Sequence, residues 1–340
     1  MLLNKMNKSR YALWAAPLSV IVLSTGAQAQ ERNIAFDSLS LIEEPLAKEI
    51  GDVTYSLRGT IDAPITFDYK NRNIRNYGIS TAFQFGAETQ LKNALRLGAN
   101  YTVLYDYDNV AGSTYNDKYS IFAGGPMGTV FGGKVGDVLR METDRRVSVG
   151  NADLAFATNL GVLNDLNVAY LGTFGPTQVG GVIDKDANFE LGMIYQRPHA
   201  DQDHKYSVRF TDGNYNTADG TLLRASSAQA VIERVYGSTK MNVGLGYELL
   251  TKSNFSANRA YVSGGASHKI GAYTMSLEGH YGEINGEQEI LAAFGGSYDF
   301  ARGASVNVGV NYKEAQVTTD GVQILNDKDT TAKLSLRYGF

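Results

Sequence analysis

A strict period-two alternation over residues 53–69 constrains the fold of this chain more than any other feature. Apolar or aromatic side chains fill most odd positions, while the even positions carry mainly Thr, Ser, Asp and Arg. Successive side chains of a β-strand point to opposite faces, so this run predicts a strand with one apolar and one polar face. Pro64 has no N–H to donate to a neighbouring strand, and it therefore predicts a bulge or a break within the run.

The same alternation recurs along most of the chain and predicts an all-β fold of about 16 strands. The stretch 225–236 is the weakest prediction, because its Ala and Glu residues also suit a helix. Splitting the first run at Pro64 would raise the count by one. The predicted strands are 53–69, 76–86, 94–105, 118–124, 128–134, 152–160, 166–173, 188–196, 205–211, 225–236, 240–249, 259–269, 272–282, 289–300, 304–313 and 330–340.

Composition agrees with strands joined by turns and excludes several functional classes. The chain has 37 Gly and 21 Tyr, a pairing that suits strands and tight turns better than helices. It has no Cys, which excludes disulfide scaffolds, Cys-ligated metal centres and thiol nucleophiles. Its 31 basic and 35 acidic residues give a net charge of −4 without basic blocks, so nucleic acid is not an expected partner.

Residues 1–29 have the pattern of a secretory signal peptide. A basic start with Lys5, Lys8 and Arg10 precedes a short apolar run, and Ala27-Gln28-Ala29 supplies a small-x-small cleavage site. The apolar run is too short to cross a bilayer comfortably and contains Pro17. Loss of this segment would remove three cations and leave a net charge of −7.

Residues 30–52 precede the first predicted strand and form a separate N-terminal segment. Leu39, Ile42, Leu46 and Ile50 are spaced three to four residues apart, as on one face of a helix. We therefore expect a periplasmic segment that forms a short helix or partly plugs the protein, followed by a β-barrel over residues 53–340.

Alternating strands suit either a soluble β-protein or a membrane barrel. A wide barrel in lipid places its apolar residues outward and encloses a polar, water-filled lumen. Short connections alternating with long polar ones are typical of an up-and-down antiparallel membrane barrel. We expect long connections at 106–117, 135–151, 174–187, 212–223 and 314–329. A soluble secreted sandwich or β-helix is the alternative fold, although no fixed solenoid period is present.

Three stretches of the chain resemble general bacterial outer-membrane porins, nearest the alphaproteobacterial type. These are YSIFAGGPMGTVFGGKVGD at 119–137, AAFGGSYDFARGASVNVGVNYK at 292–313 and the terminal TTAKLSLRYGF. The resemblance implies a transmembrane barrel with an inward-folded third loop, a homotrimer in the outer membrane of a Gram-negative bacterium, and contact with lipid and lipopolysaccharide. It also implies that Tyr338 and Phe340 belong to a signal read by the barrel-assembly machinery. Many relatives have Gly-Arg where this chain has Gly133-Lys134.

In the family, acidic residues of the third loop face a basic wall across the pore. The loop here is about 135–151, and its candidate acids are Asp137, Glu142 and Asp144. The strand registers place Arg58, Arg96, Lys333 and Arg337 on polar faces of strands that become neighbours when the barrel closes. Such opposed charges create a transverse field that orients dipolar solutes and tunes ion preference. The same charges could instead be simply solvated, and Arg140, Arg145 and Arg146 could neutralise the loop acids.

Enzymatic and metal-binding patterns are weak in this sequence. The four His residues have no carboxylate and nucleophile at a recognisable spacing. His199 and His204 with intervening Asp residues allow a loop metal site, and Asp106 with Asp108 allows a Ca²⁺ site, but neither pattern is specific. We therefore expect a non-enzymatic channel without a cofactor that passes ions and small hydrophilic solutes. The alternatives are a substrate-specific channel, an outer-membrane enzyme and a soluble secreted β-protein.

Overall fold

The computed structural model describes residues 46–68, 73–91, 94–136, 138–143, 149–152, 159–164, 166–199 and 202–340. The predicted signal peptide and residues 30–45 lie outside the described residues. Seventeen strands and one short helix follow in order: β1 Leu46–Ile50, β2 Val53–Asp68, β3 Asn73–Gln90, β4 Arg96–Asp108, β5 Gly112–Gly125, β6 Gly128–Gly133, α1 Val138–Thr143, β7 Asn167–Phe174, β8 Thr177–Asp184, β9 Phe189–His199, β10 Gln202–Asn216, β11 Leu222–Tyr236, β12 Thr239–Lys252, β13 Phe255–Ile270, β14 Tyr273–Ile284, β15 Glu287–Ala301, β16 Ala304–Thr319 and β17 Val322–Gly339.

Strands β2 to β17 form a closed antiparallel barrel, which confirms the predicted fold class of 16 strands. Each strand pairs with the next one in sequence, as in an up-and-down barrel. The barrel closes where β17 pairs with β2, in a register that runs from Thr331 opposite Asp68 to Gly339 opposite Thr60. Closure removes the exposed sheet edges that would otherwise pair with other chains.

The N-terminal strand β1 is an addition to this barrel. It pairs with the lower part of β2, from Leu46 opposite Leu57 to Ile50 opposite Val53. The hairpin turns through Gly51, whose φ of +63° suits a glycine. The expected short helix is therefore wrong for residues 46–50. They form a strand that pairs with Val53–Leu57, the part of β2 that β17 does not reach.

The two faces of the barrel have opposite polarity, as the alternation predicts. Large apolar side chains point outward and are exposed, including Leu245 (58%) and Leu277 (66%). Polar and charged side chains such as Gln229, Glu248 and His280 point inward and are buried. This is the reverse of a small soluble barrel, whose interior is apolar.

The predicted number of strands is right, but two predictions were wrong and offset each other. The strand predicted at 152–160 is not seen: residues 152, 159 and 160 are not in a strand, and 153–158 lie outside the described residues. Strand β8 lies within the connection predicted at 174–187. Its Gly180 and Gly181 weakened the strand signal, because glycine is disfavoured within strands.

The predicted alternation of short and long connections is also wrong. The strands run further than expected, so the connection predicted at 314–329 reduces to residues 320–321. The connection predicted at 106–117 likewise reduces to 109–111. In the 314–329 stretch the outward positions of β16 are polar (Glu314, Gln316 and Thr318), while Ala315 and Val317 face inward and are buried, so the outward apolar period is lost there. Among the described strands, β6 and β7 are joined by the longest connection, residues 134–166.

Two ambiguous stretches prove to be strands. Residues 225–236 belong to β11. Pro64 does not break β2, but Ala63 and Pro64 have no paired residue in β3. The register is the same from Asp62 opposite Ser80 to Ile65 opposite Tyr77, and it shifts between Thr66 and Phe67. The irregular pairing accommodates a residue that has no N–H to donate.

The interior contains two main apolar clusters. One packs α1 and neighbouring residues against the wall formed by β6 to β8. The other, which we call the apolar cap, lies at the barrel mouth that carries the β10–β11 and β16–β17 turns. It comprises Tyr215, Leu223, Ala225, Leu250, Ala257, Ile284, Ala315, Val317, Ile324 and Leu325. Within the described parts of the chain, no helix is long and apolar enough to cross a membrane.

Candidate functional site in the barrel lumen

Helix α1 begins the long 134–166 connection and packs against the inner wall. Leu139 is 1% exposed and belongs to a cluster with Phe131, Leu171 and Val182. A Cβ on Gly192 would stand about 3 Å from the methyl groups of Leu139, so the glycine leaves the space that this side chain fills.

Polar contacts fix the same helix to strands β9 and β10. The Arg140 Nε donates to Glu190 Oε1 at 2.6 Å, and the Glu190 side chain is fully buried. The Arg140 guanidinium also donates to the carbonyl of Gly161, further along the same connection. Ser207 Oγ donates to the Thr143 carbonyl at 2.7 Å. Arg140 therefore neutralises a wall carboxylate, a partner that the sequence did not indicate.

Residues 149–152 contact inward-facing groups on a different part of the wall. The Val149 N–H donates to Ser276 Oγ at 3.2 Å, and the Asn151 N–H donates to the Val308 carbonyl at 3.1 Å. Asn151 Nδ2 donates to the Asn307 carbonyl at 3.0 Å and to Ser335 Oγ at 3.2 Å. These partners belong to β14, β16 and β17, so the connection reaches strands far around the barrel from α1.

Residues 159–162 return to the wall formed by β10, β12 and β13. The Leu160 N–H donates to Glu248 Oε1 at 2.7 Å, and Tyr261 Oη donates to Asn159 Oδ1 at 2.9 Å. Val162 forms an isolated antiparallel bridge with Asn214. The described parts of the connection thus contact inner-wall groups on both sides of the barrel.

A buried ion network supports this anchorage. Arg259 Nη1 lies 2.6 Å from Glu248 Oε2, and its Nε lies 2.7 Å from Glu289 Oε1. His280 Nε2 lies 3.0 Å from the same Glu289 oxygen, and all four side chains are fully buried. Tyr261 lies under the guanidinium, with 4.5 Å between Arg259 Cζ and the ring centroid. The pairing compensates for the removal of these charges from water.

The predicted basic residues lie on neighbouring strands of the opposite part of the wall. Arg58 is on β2, Lys333 and Arg337 are on β17, and Arg96 begins β4. All four are partly exposed to the lumen side. Two of them pair with wall acids that the sequence analysis did not select. Arg337 Nη2 lies 3.2 Å from Asp62 Oδ2, and Arg96 Nη1 lies 3.3 Å from Glu88 Oε1.

The predicted loop acids are described only in part. Asp137 and Asp144 lie outside the described residues. Glu142 lies within α1, and its side chain is likewise outside the description. Lys134 forms an ion pair with Asp117 at 2.9 Å beside the Tyr119 ring.

Tyr338 and Phe340 lie at the seam where the barrel closes. Phe340 and Gly59 exchange two backbone hydrogen bonds of 2.9 Å each. The Phe340 ring centroid is 6.1 Å from those of both Phe83 and Tyr338. The two predicted assembly residues therefore form part of one aromatic cluster on the outer face.

The predicted metal sites find no support among the residues that the structure describes, since none of their His, Asp and Glu groups could hold a metal ion. Asp108 instead caps the β4–β5 turn, where its Oδ1 accepts the N–H groups of Val110 and Ala111 at 2.8 and 3.0 Å. Its other oxygen accepts from Asn76 Nδ2 at 2.6 Å.

Sequence reasoning missed the groups that hold the long connection in place. Glu248 stands on the polar face of its strand in the alternation, but its bond to the Leu160 backbone has no sequence signal. Glu190 and Asn151 likewise act through contacts between distant parts of the chain. From the period of two, the sequence could predict only that these strand residues point inward, and not which groups they contact.

Comparison with known proteins supports the fold. No protein-family model matches the chain, and no curated protein matches it. Among solved structures, a trimer form of OmpT, an outer membrane protein of Vibrio cholerae, matches with a TM-score of 0.67 at 15% identity, over 85% of this chain and 99% of that one. An anion-selective porin from Comamonas acidovorans matches with a TM-score of 0.58 at 11% identity, over 85% of this chain and 100% of that one.

A porin of Rh. blastica, solved as a double mutant, has a TM-score of 0.53 at 14% identity over 84% of this chain and all of the other. These identities are too low to indicate more than architecture. The chain has the fold of bacterial outer-membrane porins.

Proposed function

We propose that this protein is an outer-membrane porin, a water-filled channel for passive diffusion of ions and small hydrophilic solutes. The observation that carries the proposal is the inverted polarity of a closed barrel. Exposed side chains such as Leu245 and Leu277 cover the outside, and charged side chains line the inside. An outer surface with so many exposed apolar side chains suits lipid and would be unstable in water.

The long 134–166 connection is the proposed constriction. Its described parts bind inner-wall groups of β9, β10, β12 to β14, β16 and β17. Residues held inside a barrel narrow its cross-section and set the largest solute that passes. The loop acids Asp137, Glu142 and Asp144 would act there against Arg58, Arg96, Lys333 and Arg337.

The remaining proposals concern location and assembly. Residues 1–29 would direct export and be removed, and the barrel would lie in the outer membrane of a Gram-negative bacterium, in contact with lipid and lipopolysaccharide. The seam residues Tyr338 and Phe340 would be read by the barrel-assembly machinery. A homotrimer is proposed because OmpT of Vibrio cholerae, which has a similar fold, was solved in a trimer form.

Conductance of purified, refolded protein in planar bilayers tests the function. Folding is verified first, by the change in gel mobility that heating causes in a folded barrel. We expect discrete conductance steps that close in groups of three if the channel is a trimer. Folded protein that inserts into the bilayer and passes no current would refute the proposal. Flux that saturates with one solute would indicate the substrate-specific alternative.

A further inference from the structure

The apolar cap joins strands that are not neighbours in the sheet. Tyr215 Oη, on β10, donates to the carbonyl of Ile324, on β17, at 2.9 Å. The next turn adds two bonds: the Ala218 N–H donates to the Gln323 carbonyl at 3.0 Å, and the Gln323 N–H donates to Asp219 Oδ2 at 3.1 Å. In the sheet, β17 pairs with β16 and β2. The strand ends therefore bend across the mouth and meet over the lumen.

The cap is packed as tightly as a protein core. Leu250, Ile284 and Ile324 have no exposed area, and Leu160 of the long connection packs against them from below. A close-packed apolar cluster of this kind excludes water. The mouth is consequently sealed above the strands that supply the cap.

Packing continues beneath the cap toward the other end of the barrel. The Glu248, Arg259 and Glu289 side chains have no exposed area, and Glu248 binds the backbone of Leu160. Further down, Asn151 is 3% exposed and bonds to Asn307 and Ser335. Between the apolar cap and the bonds of Asn151, the inward-facing side chains of β10 to β16 are mostly buried.

The inner face of β17 and β2 to β5 differs from this. The side chains of Arg96 and Glu88 are each 30% exposed, and that of Arg337 is 28% exposed. Inward-facing residues in the middle of these strands, such as Arg58, Ser80 and Asn100, are also partly exposed, although Gln84, Thr102 and Ser120 are buried.

We propose that the aqueous path is a crescent along β17 and β2 to β5, and that the half of the barrel beneath the apolar cap is a solid core. Solutes would then meet the wall that carries Arg58, Asp62, Arg96 and Arg337 and would never contact the Arg259 network. This inference rests on the proposed channel function, which it refines by assigning the route and the residues that select solutes.

The test uses single cysteines, because the chain has none of its own. Ser80→Cys on β3 and Ser263→Cys on β13 are matched changes at inward-facing serines. Ser80 is partly exposed and Ser263 is 2% exposed. Each folded variant is treated with a small, water-soluble methanethiosulfonate reagent. A thiol reacts only where the reagent reaches it, so we expect Ser80→Cys to label at least about tenfold faster than Ser263→Cys. Both should label alike after denaturation.

A difference below tenfold in the folded proteins would overturn the inference. If Ser263→Cys does not fold, Ser276→Cys takes its place, since Ser276 is 3% exposed on β14. The labelling rates can be measured whether or not the protein conducts ions. A result that refutes the crescent path is therefore distinct from one that refutes the channel function. In planar bilayers, a bulky charged reagent should lower the current through Ser80→Cys. An unchanged current, despite complete labelling, would place the path elsewhere.

Discussion

Gly59 and Phe340 close the barrel as a hydrogen-bonded antiparallel pair. Each N–H donates to the other residue's carbonyl at 2.9 Å. The Phe340 ring lies over the α-carbon of Gly59, where a Cβ would overlap the ring. The aromatic residue at the seam and the glycine opposite it therefore depend on each other.

Gly59→Ala should destabilise the folded barrel through this overlap. The added methyl group must displace the Phe340 ring or the strand, at a cost of about 1–3 kcal/mol. The measurement is the midpoint of urea unfolding for refolded protein in detergent. Gly279→Ala is the matched control, because nothing lies within 4 Å of a Cβ at that position. Equal midpoints for the two variants would contradict the packing described for Phe340.

The Arg140–Glu190 pair should respond unequally to removal of its two partners. Arg140→Gln leaves the fully buried Glu190 carboxylate without its cation and should cost about 3–5 kcal/mol of unfolding free energy. Glu190→Gln leaves the guanidinium of Arg140, which is 16% exposed, and should cost less. The double variant should be more stable than Arg140→Gln alone. Guanidinium unfolding of the four proteins measures the coupling, and additive effects would show that the pair does not act as a unit.

Asp219 should make the mouth of the barrel sensitive to acid. The hydrogen bond from the Thr217 hydroxyl, joined by the Thr221 N–H, lowers the pKa of Asp219 from 3.8 to about 2. A lowered pKa in the folded state contributes stability above the unfolded value, and that contribution is lost as the pH falls through the folded value. Asp219→Asn should therefore lower the midpoint of urea unfolding at about pH 6 and have little effect on it at about pH 2.

The control for this experiment is Asp320→Asn, in the neighbouring β16–β17 turn. It removes a carboxylate from the same mouth, so the difference between the two variants at each pH isolates the contribution of the hydrogen bonds that Asp219 accepts. An effect of Asp219→Asn that stays constant between neutral and acidic pH would contradict the role assigned to the charged carboxylate.

The proposed loop acids and wall cations should move ion selectivity in opposite directions. Replacing Asp137, Glu142 and Asp144 by their amides removes negative charge and should shift the permeability ratio toward anions by about twofold or more. Arg58→Gln with Lys333→Gln should shift it toward cations. Reversal potentials in a salt gradient report both changes. An unchanged reversal potential in the acid variant would show that those three residues do not line the constriction.

The sequence was sufficient to predict the barrel because the outward face of nearly every strand is apolar and its inward face polar. The run at 53–69 matches β2 almost to the residue. The period of two also placed Arg58, Arg96, Lys333 and Arg337 on the inward face of strands that prove to be neighbours. The alternation of apolar and polar residues is enough to predict a strand and its orientation wherever one face of the strand must be apolar.

The interior could not be predicted in this way, because it depends on contacts between remote segments. Gly180 obscured strand β8, yet a Cβ there would lie 2.9 Å from a Leu139 methyl group. The feature that weakened the strand signal is thus the one that makes room for α1. The alternation of apolar and polar residues also gives no indication of the partners of Arg140 and Glu248. It likewise does not predict that the strand ends bend inward to form the apolar cap.

The hairpin of β1 with β2 has a consequence for the order of assembly. Of the barrel strands, β2 is synthesised first and β17 last, so one edge of β2 waits unpaired while the rest of the chain is made. Because β1 already occupies Val53–Leu57, only the portion from Gly59 upward stays open to Phe340 and β17. The hairpin thereby shortens the edge on which a wrong strand could dock and marks where the correct one must stop.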